Sequence, residues 1–167
     1  MNKDCWIPEL VSCADLEQWE KYYNEIYAIF HRDFVESHPL FEEKEVCIRR
    51  YPIEYGKEEA FFHVTCQDYL KSNDRSPDIR RCERIKWVRS FIENYTCDPS
   101  LCIDCDGIKV WSEPYKNTSR VYLLSEEEWY VVIVERRKRY VLLITAYYID
   151  YDHTMDKLIR RWERHTT

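Results

Sequence analysis

Two glycines in 167 residues leave no glycine-rich loop, so folds that cradle phosphate on such loops are excluded. No stretch approaches the roughly eighteen apolar residues of a membrane-spanning helix. The N-terminal Met-Asn-Lys-Asp-Cys-Trp-Ile-Pro-Glu-Leu has no apolar core of signal-peptide length, so a soluble, cytoplasmic protein without membrane contact is expected. A positive balance is also lacking. The formal charge of −6 argues against a general nucleic-acid coating protein, whose affinity would come from clustered Lys and Arg.

What is present describes a folded globule. Hydrophobic residues make up 45% of the chain and aromatics 16%, too much apolar material for a disordered segment. At this length one domain over residues 1–167 is expected, burying roughly two-thirds of its unfolded surface. Eight cysteines would allow a disulfide framework in a secreted protein. Without a secretion signal they read as free thiols in a reducing compartment, and the Asn94 and Asn117 glycosylation patterns read as chance matches.

The stretch Tyr140 to Tyr148 suits a central strand and alternates into two faces. Tyr140, Leu142, Ile144, Ala146 and Tyr148 form one face; Val141, Leu143, Thr145 and Tyr147 form the other. Thr145 and Tyr147 thus present a hydroxyl and a phenol side by side. After a tail over residues 1–12, Leu16, Trp19, Tyr23, Ile26, Phe30 and Phe34 recur at helical spacing and predict a long helix over about 14–36. Strands are predicted at 46–51 and 60–65, a loop at 72–77 and a helix over 79–95. Four strands at 108–111, 120–124, 129–135 and 140–148, joined by short connections, predict an antiparallel meander. A terminal helix over 153–165, capped by Asp152, completes an α+β fold with a mainly antiparallel sheet.

Three polar sets fall where the pattern calls for core or cleft: His63, the pair Arg81 and Arg84, and the pair Thr145 and Tyr147. On one continuous 79–95 helix, Arg81 lies within the apolar arc of Ile85, Val88, Ile92 and Tyr95, whereas Lys86 and Arg89 point elsewhere. If the sets meet in space, they suit metal-free phosphodiester cleavage. His63 would pass protons and the guanidiniums would hold the charge that develops on phosphate. The competing readings are a packed structural histidine and an ion pair of Arg81 with Glu58, Glu59 or Glu83. As a phosphate ligand, Arg81 is expected to be replaceable by alanine at little cost in stability but with loss of cleavage.

Four stretches carry a resemblance. They are Phe30-His31-Arg32-Asp33-Phe34, the run from Gly56 to Thr65, Arg80-Arg81-Cys82-Glu83-Arg84-Ile85-Lys86-Trp87, and Ile144-Thr145-Ala146-Tyr147-Tyr148. In order and spacing the chain resembles the phage-associated branch of the barnase/EndoU/colicin/RelE nuclease fold, over about residues 25–165. The resemblance implies a small metal-independent endoribonuclease, a phage or mobile-element toxin or effector. It also implies a site on the sheet built from His63, Arg81 or Arg84, and Thr145 or Tyr147, with Thr65, Lys86 and Tyr148 as substrate contacts. RNA, with tRNA as a candidate, would be the substrate, and an antitoxin or host protein the partner. A non-catalytic member of the same fold that inhibits or sequesters a host protein is the alternative.

No cofactor is expected. The rival is a structural zinc on Cys97, Cys102 and Cys105, whose spacing lets three thiolates meet one ion, one ligand short of a closed site. The basic run Arg136 to Arg139 reads as a solvated hairpin connection.

Overall fold

The computed structural model describes residues 6–68, 75–97, 100 and 106–166. The six-stranded sheet has the order β1-β2-β8-β7-β6-β5. Its C-terminal half is the expected meander: β5 Lys109–Tyr115, β6 Thr118–Ser125, β7 Tyr130–Arg136 and β8 Val141–Tyr148, each antiparallel to the next. β1 Leu40–Phe41 and β2 Lys44–Cys47 form a small hairpin whose second strand joins β8 in parallel. Two-residue turns require left-handed backbone. Glu42 and Glu43 supply it between β1 and β2, at φ 53° and 70°.

Helices cover both faces of the sheet. α1 Trp19–Phe34, α2 Glu59–Thr65 and α4 Ile85–Glu93 cover one, and Tyr22, Ile26, Phe30, Phe61, Val88 and Phe91 meet Val132, Val134 and Leu143 in the larger core. α5 Asp152–Thr166 covers the other, where Met155 and Leu158 pack on Trp111, Leu124, Val131 and Ile133. α1, α4 and α5 each bury one apolar stripe, and the sheet between the helices is buried on both sides. Among the described residues no helix is long and apolar enough to cross a membrane.

Several expectations need correction. Residues 60–65 are helical, not extended; Ala60, Phe61, Phe62 and Val64 are all buried, and an apolar run enclosed on every side has no period to distinguish helix from strand. The strand at 46–51 is shorter and ends at Cys47. The long N-terminal helix starts at Trp19 behind a 3-10 turn capped by Asp15, and Leu16 is 74% exposed, outside the buried stripe. The 79–95 helix breaks at Arg84, with φ −101° and ψ 21°, into α3 Ile79–Glu83 and α4. The end of the expected 72–77 loop is a strand: β4 Arg75–Pro77 pairs with β3 Cys66–Asp68.

β8 also departs from simple alternation. Ile133 pairs with Thr145 and Val134 with Leu143, which leaves Ile144 as an extra residue in a β-bulge. Val141 and Leu143 before it, and Ala146 and Tyr148 after it, all face the larger core, so the two predicted faces exchange at the bulge.

Candidate functional site

β2 pairs with β8 at Val141 and Leu142, and beyond that point α2 lies against the outer edge of β8 in place of a strand. A helix ending beside a strand leaves its last carbonyls without intrahelical donors. Here the donors come from the neighbouring elements. Thr145 Oγ1 donates to the His63 carbonyl at 2.8 Å, from the strand side. Arg81 Nη1 donates from α3 to the Cys66 carbonyl at 2.5 Å and, more loosely, to the same His63 carbonyl at 3.4 Å. A guanidinium at a helix C-terminus also meets the negative end of the helix dipole. His63, Arg81 and Thr145 therefore meet at one carbonyl.

The His63 imidazole is held from within its own helix. Its Nε2 lies 3.2 Å from Glu59 Oε1, one helical turn earlier, with the carboxylate side chain 8% exposed and the imidazole 27%. Glu59 is in the first turn and His63 in the last, the arrangement the helix dipole favours for an anion and a cation. A carboxylate on one ring nitrogen fixes the orientation of the imidazole, as a proton-transferring histidine requires.

Arginines of α3 form a second layer on the tyrosines of β8. The Arg80 and Arg84 guanidiniums lie 4.9 and 4.5 Å from the centre of the Tyr148 ring, and Arg81 lies 5.4 Å from that of Tyr147. Asp78 caps α3 by accepting from the Arg80 and Arg81 backbone N–H groups, and its carboxylate also stands 3.9 Å from Arg81 Nε. Arg80 pairs with Asp150 at 3.6 Å and Arg84 with Glu83 at 3.6 Å. Beneath the arginines, the phenol of Tyr130 is fully buried with no hydrogen-bond partner among the described residues, and burial pushes its pKa up.

The remaining candidates divide. Tyr148 meets Arg80 and Arg84 on the side of the larger core, whereas Tyr147, in contact with Arg81, packs with the α5-side core, its phenol pKa raised by burial and then by neighbouring Tyr122. Thr65 is wholly buried and donates to the Phe61 carbonyl at 2.9 Å, with Tyr23 Oη at 3.1 Å. Lys86 makes none of these contacts among the described residues. Cys97 is half-buried, while Cys102 and Cys105 lie outside the described residues, and the zinc alternative lies there with them. Among the described residues no three His, Cys, Asp or Glu side chains group as metal ligands do.

Sequence reasoning missed Glu59 as the partner of His63 and Arg80 as part of the arginine layer. Glu59 and His63 are four apart, so reading the segment as a helix would have paired them. The carbonyl partners of Arg81 had no sequence signal. Set against known proteins, the chain matches no family model, no curated protein and no solved structure.

Proposed function

We propose that the protein is a metal-independent endoribonuclease in which His63, oriented by Glu59, moves the protons of the reaction. The substrate's 2′-hydroxyl gives up its proton and attacks the adjacent phosphorus. The new 2′-oxygen–phosphorus bond displaces the 5′-oxygen, which leaves as a protonated hydroxyl, and the cut strand ends in a 2′,3′-cyclic phosphate. The observation that carries this reading is the double tether on the His63 carbonyl, from Thr145 at 2.8 Å and Arg81 at 3.4 Å, which fixes the segment bearing a carboxylate-held histidine. Arg81 and Thr145 then act as positioning residues. Arg80 and Arg84, stacked on Tyr148, supply positive charge next to the segment for a phosphate that becomes more negative in the transition state.

The wider reading is a phage- or mobile-element-associated toxin or effector that acts in the cytoplasm on RNA, with tRNA as a candidate substrate and an antitoxin or host protein as partner. One observation favours the binding-only alternative: Arg81 spends its donors on backbone carbonyls instead of presenting them to a ligand. The test is incubation of the purified protein with tRNA and with total RNA in EDTA, followed by analysis of the new ends. Cleavage with 2′,3′-cyclic phosphate ends is expected. Intact RNA in the presence of folded protein, together with recovery of one stoichiometric protein partner free of RNA, would leave the binding-only reading in its place.

A further inference from the structure

At the end of the sheet where β8 begins, a cleft of about 490 Å³ is lined by Arg49, Tyr115, Lys116, Arg120, Glu135 and Arg137, with polar groups of the β5–β6 turn between them. It shares no residue with the His63 cluster. Four of these side chains are cationic and one is a carboxylate, in a protein whose formal charge is −6. Glu135 is 2% exposed and lies between two of the arginines, 3.0 Å from Arg120 Nε and 2.6 Å from Arg137 Nε. One carboxylate cannot neutralise two guanidiniums. It accepts a hydrogen bond from Arg120 and stands in ion-pair contact with Arg137, and the Arg120 guanidinium also lies over the Tyr115 ring, 3.5 Å from its centre.

The other two cations are uncommitted to carboxylates. Among the described residues no acidic side chain pairs with Arg49 or Lys116, and both are exposed. Lys116 has φ 52°, a left-handed conformation that glycine or asparagine adopts at less cost, so the turn carries a cation where its backbone favours a smaller residue. The positive track continues past the cleft. The Arg137 N–H donates to the Tyr140 carbonyl at 2.9 Å, which closes a tight turn and puts exposed Lys138 and Arg139 next to Arg137.

A single phosphate would need one pair of these cations. A row of them beside a partly exposed aromatic ring fits a chain of phosphates carrying bases. We propose that this cleft is a binding site for the phosphodiester backbone of single-stranded RNA, separate from the His63 cluster. An acidic protein segment would also match the guanidinium forks, but it would leave the exposed Tyr115 ring without the stacking partner that a base supplies. The inference takes the identity of its ligand from the ribonuclease reading, but the site can be tested without it.

The probe is a fluorescent single-stranded 2′-O-methyl oligonucleotide, which cannot be cut by 2′-hydroxyl attack. Binding is therefore scored whether or not His63 is catalytic. The variant Arg49→Glu with Lys116→Glu alters exposed side chains, and its folding is checked by its melting temperature. Its Kd is expected to rise at least tenfold, and the slope of log Kd against log salt to fall by about 1.4, the share of two phosphate contacts on a single strand. A control variant, Lys21→Glu with Lys157→Glu, makes the same change in net charge on α1 and α5 and is expected to bind like the wild type. Equal weakening by both variants would overturn the proposal. So would polyglutamate competing as strongly as the oligonucleotide, which would mark the cleft as a protein-docking surface. Loss of RNA cleavage in His63→Ala with oligonucleotide binding unchanged keeps the two sites separate.

Discussion

The His63 carbonyl is held by two side chains of different strength, a neutral hydroxyl and a charged guanidinium. Thr145→Val keeps the shape of the side chain and deletes the donor, and is expected to cost about 1 kcal/mol, the usual net worth of one hydrogen bond. Arg81→Ala removes a charged donor from two carbonyls and is expected to cost about 2 kcal/mol, measured by urea denaturation. That differs from the sequence-based expectation of a dispensable phosphate ligand, because the acceptors are backbone oxygens that no side-chain pattern reveals. Tyr130→Phe should behave in the opposite way. Its hydroxyl is fully buried without a partner among the described residues, so deleting it should leave stability unchanged or raise it by up to about 1 kcal/mol. A clear loss of stability in Tyr130→Phe would show that the hydroxyl has a partner.

At the level of elements, α5 is tied to the sheet by Arg161, which donates to both Glu113 oxygens at 2.8 Å and to Tyr122 Oη at 2.7 Å. The hydrogen bond from Arg161 holds the Glu113 pKa below the usual carboxylate range. A carboxylate with a lowered folded-state pKa contributes stability above its unfolded pKa, and that contribution is lost as pH falls through the folded value. Wild type should therefore lose more melting temperature between neutral pH and about pH 3 than Glu113→Gln does. Parallel curves for the two proteins would count against the tie. The meander of β5 to β8, the terminal helix and the α+β class were legible because each strand carries its own turn signal and each amphipathic helix its own period. α2 was not, since burial on every side erased its period, and neither was the parallel β2–β8 pair, which depends on contacts far apart in sequence. Whether His63, Arg81 and Thr145 meet was left open by the sequence, because the bulge at Ile144 and the helix break at Arg84 set the geometry. Both are local irregularities that an ideal period passes over.

Over the whole molecule, the net charge conceals a polarity along the sheet. One end carries Arg49, Lys116, Arg120 and Arg137, while at the other Asp106, Glu126, Glu127, Asp152 and Asp156 line an acidic cleft. An acidic protein with one basic end attracts a polyanion to that end and repels it elsewhere, an effect that fades as salt shortens the Debye length. Cleavage of dilute RNA is therefore expected to slow as ionic strength rises from about 50 to 200 mM, with the folded fraction unchanged. The role proposed for His63, held by Glu59, is to carry the protons in RNA cleavage. Its most direct test is the single-turnover cleavage rate in EDTA of wild type and His63→Ala, compared after circular dichroism shows both folded. The expected result is a drop of roughly 10² to 10⁴ in rate for His63→Ala. Cleavage by the folded variant at the wild-type rate would contradict the claim.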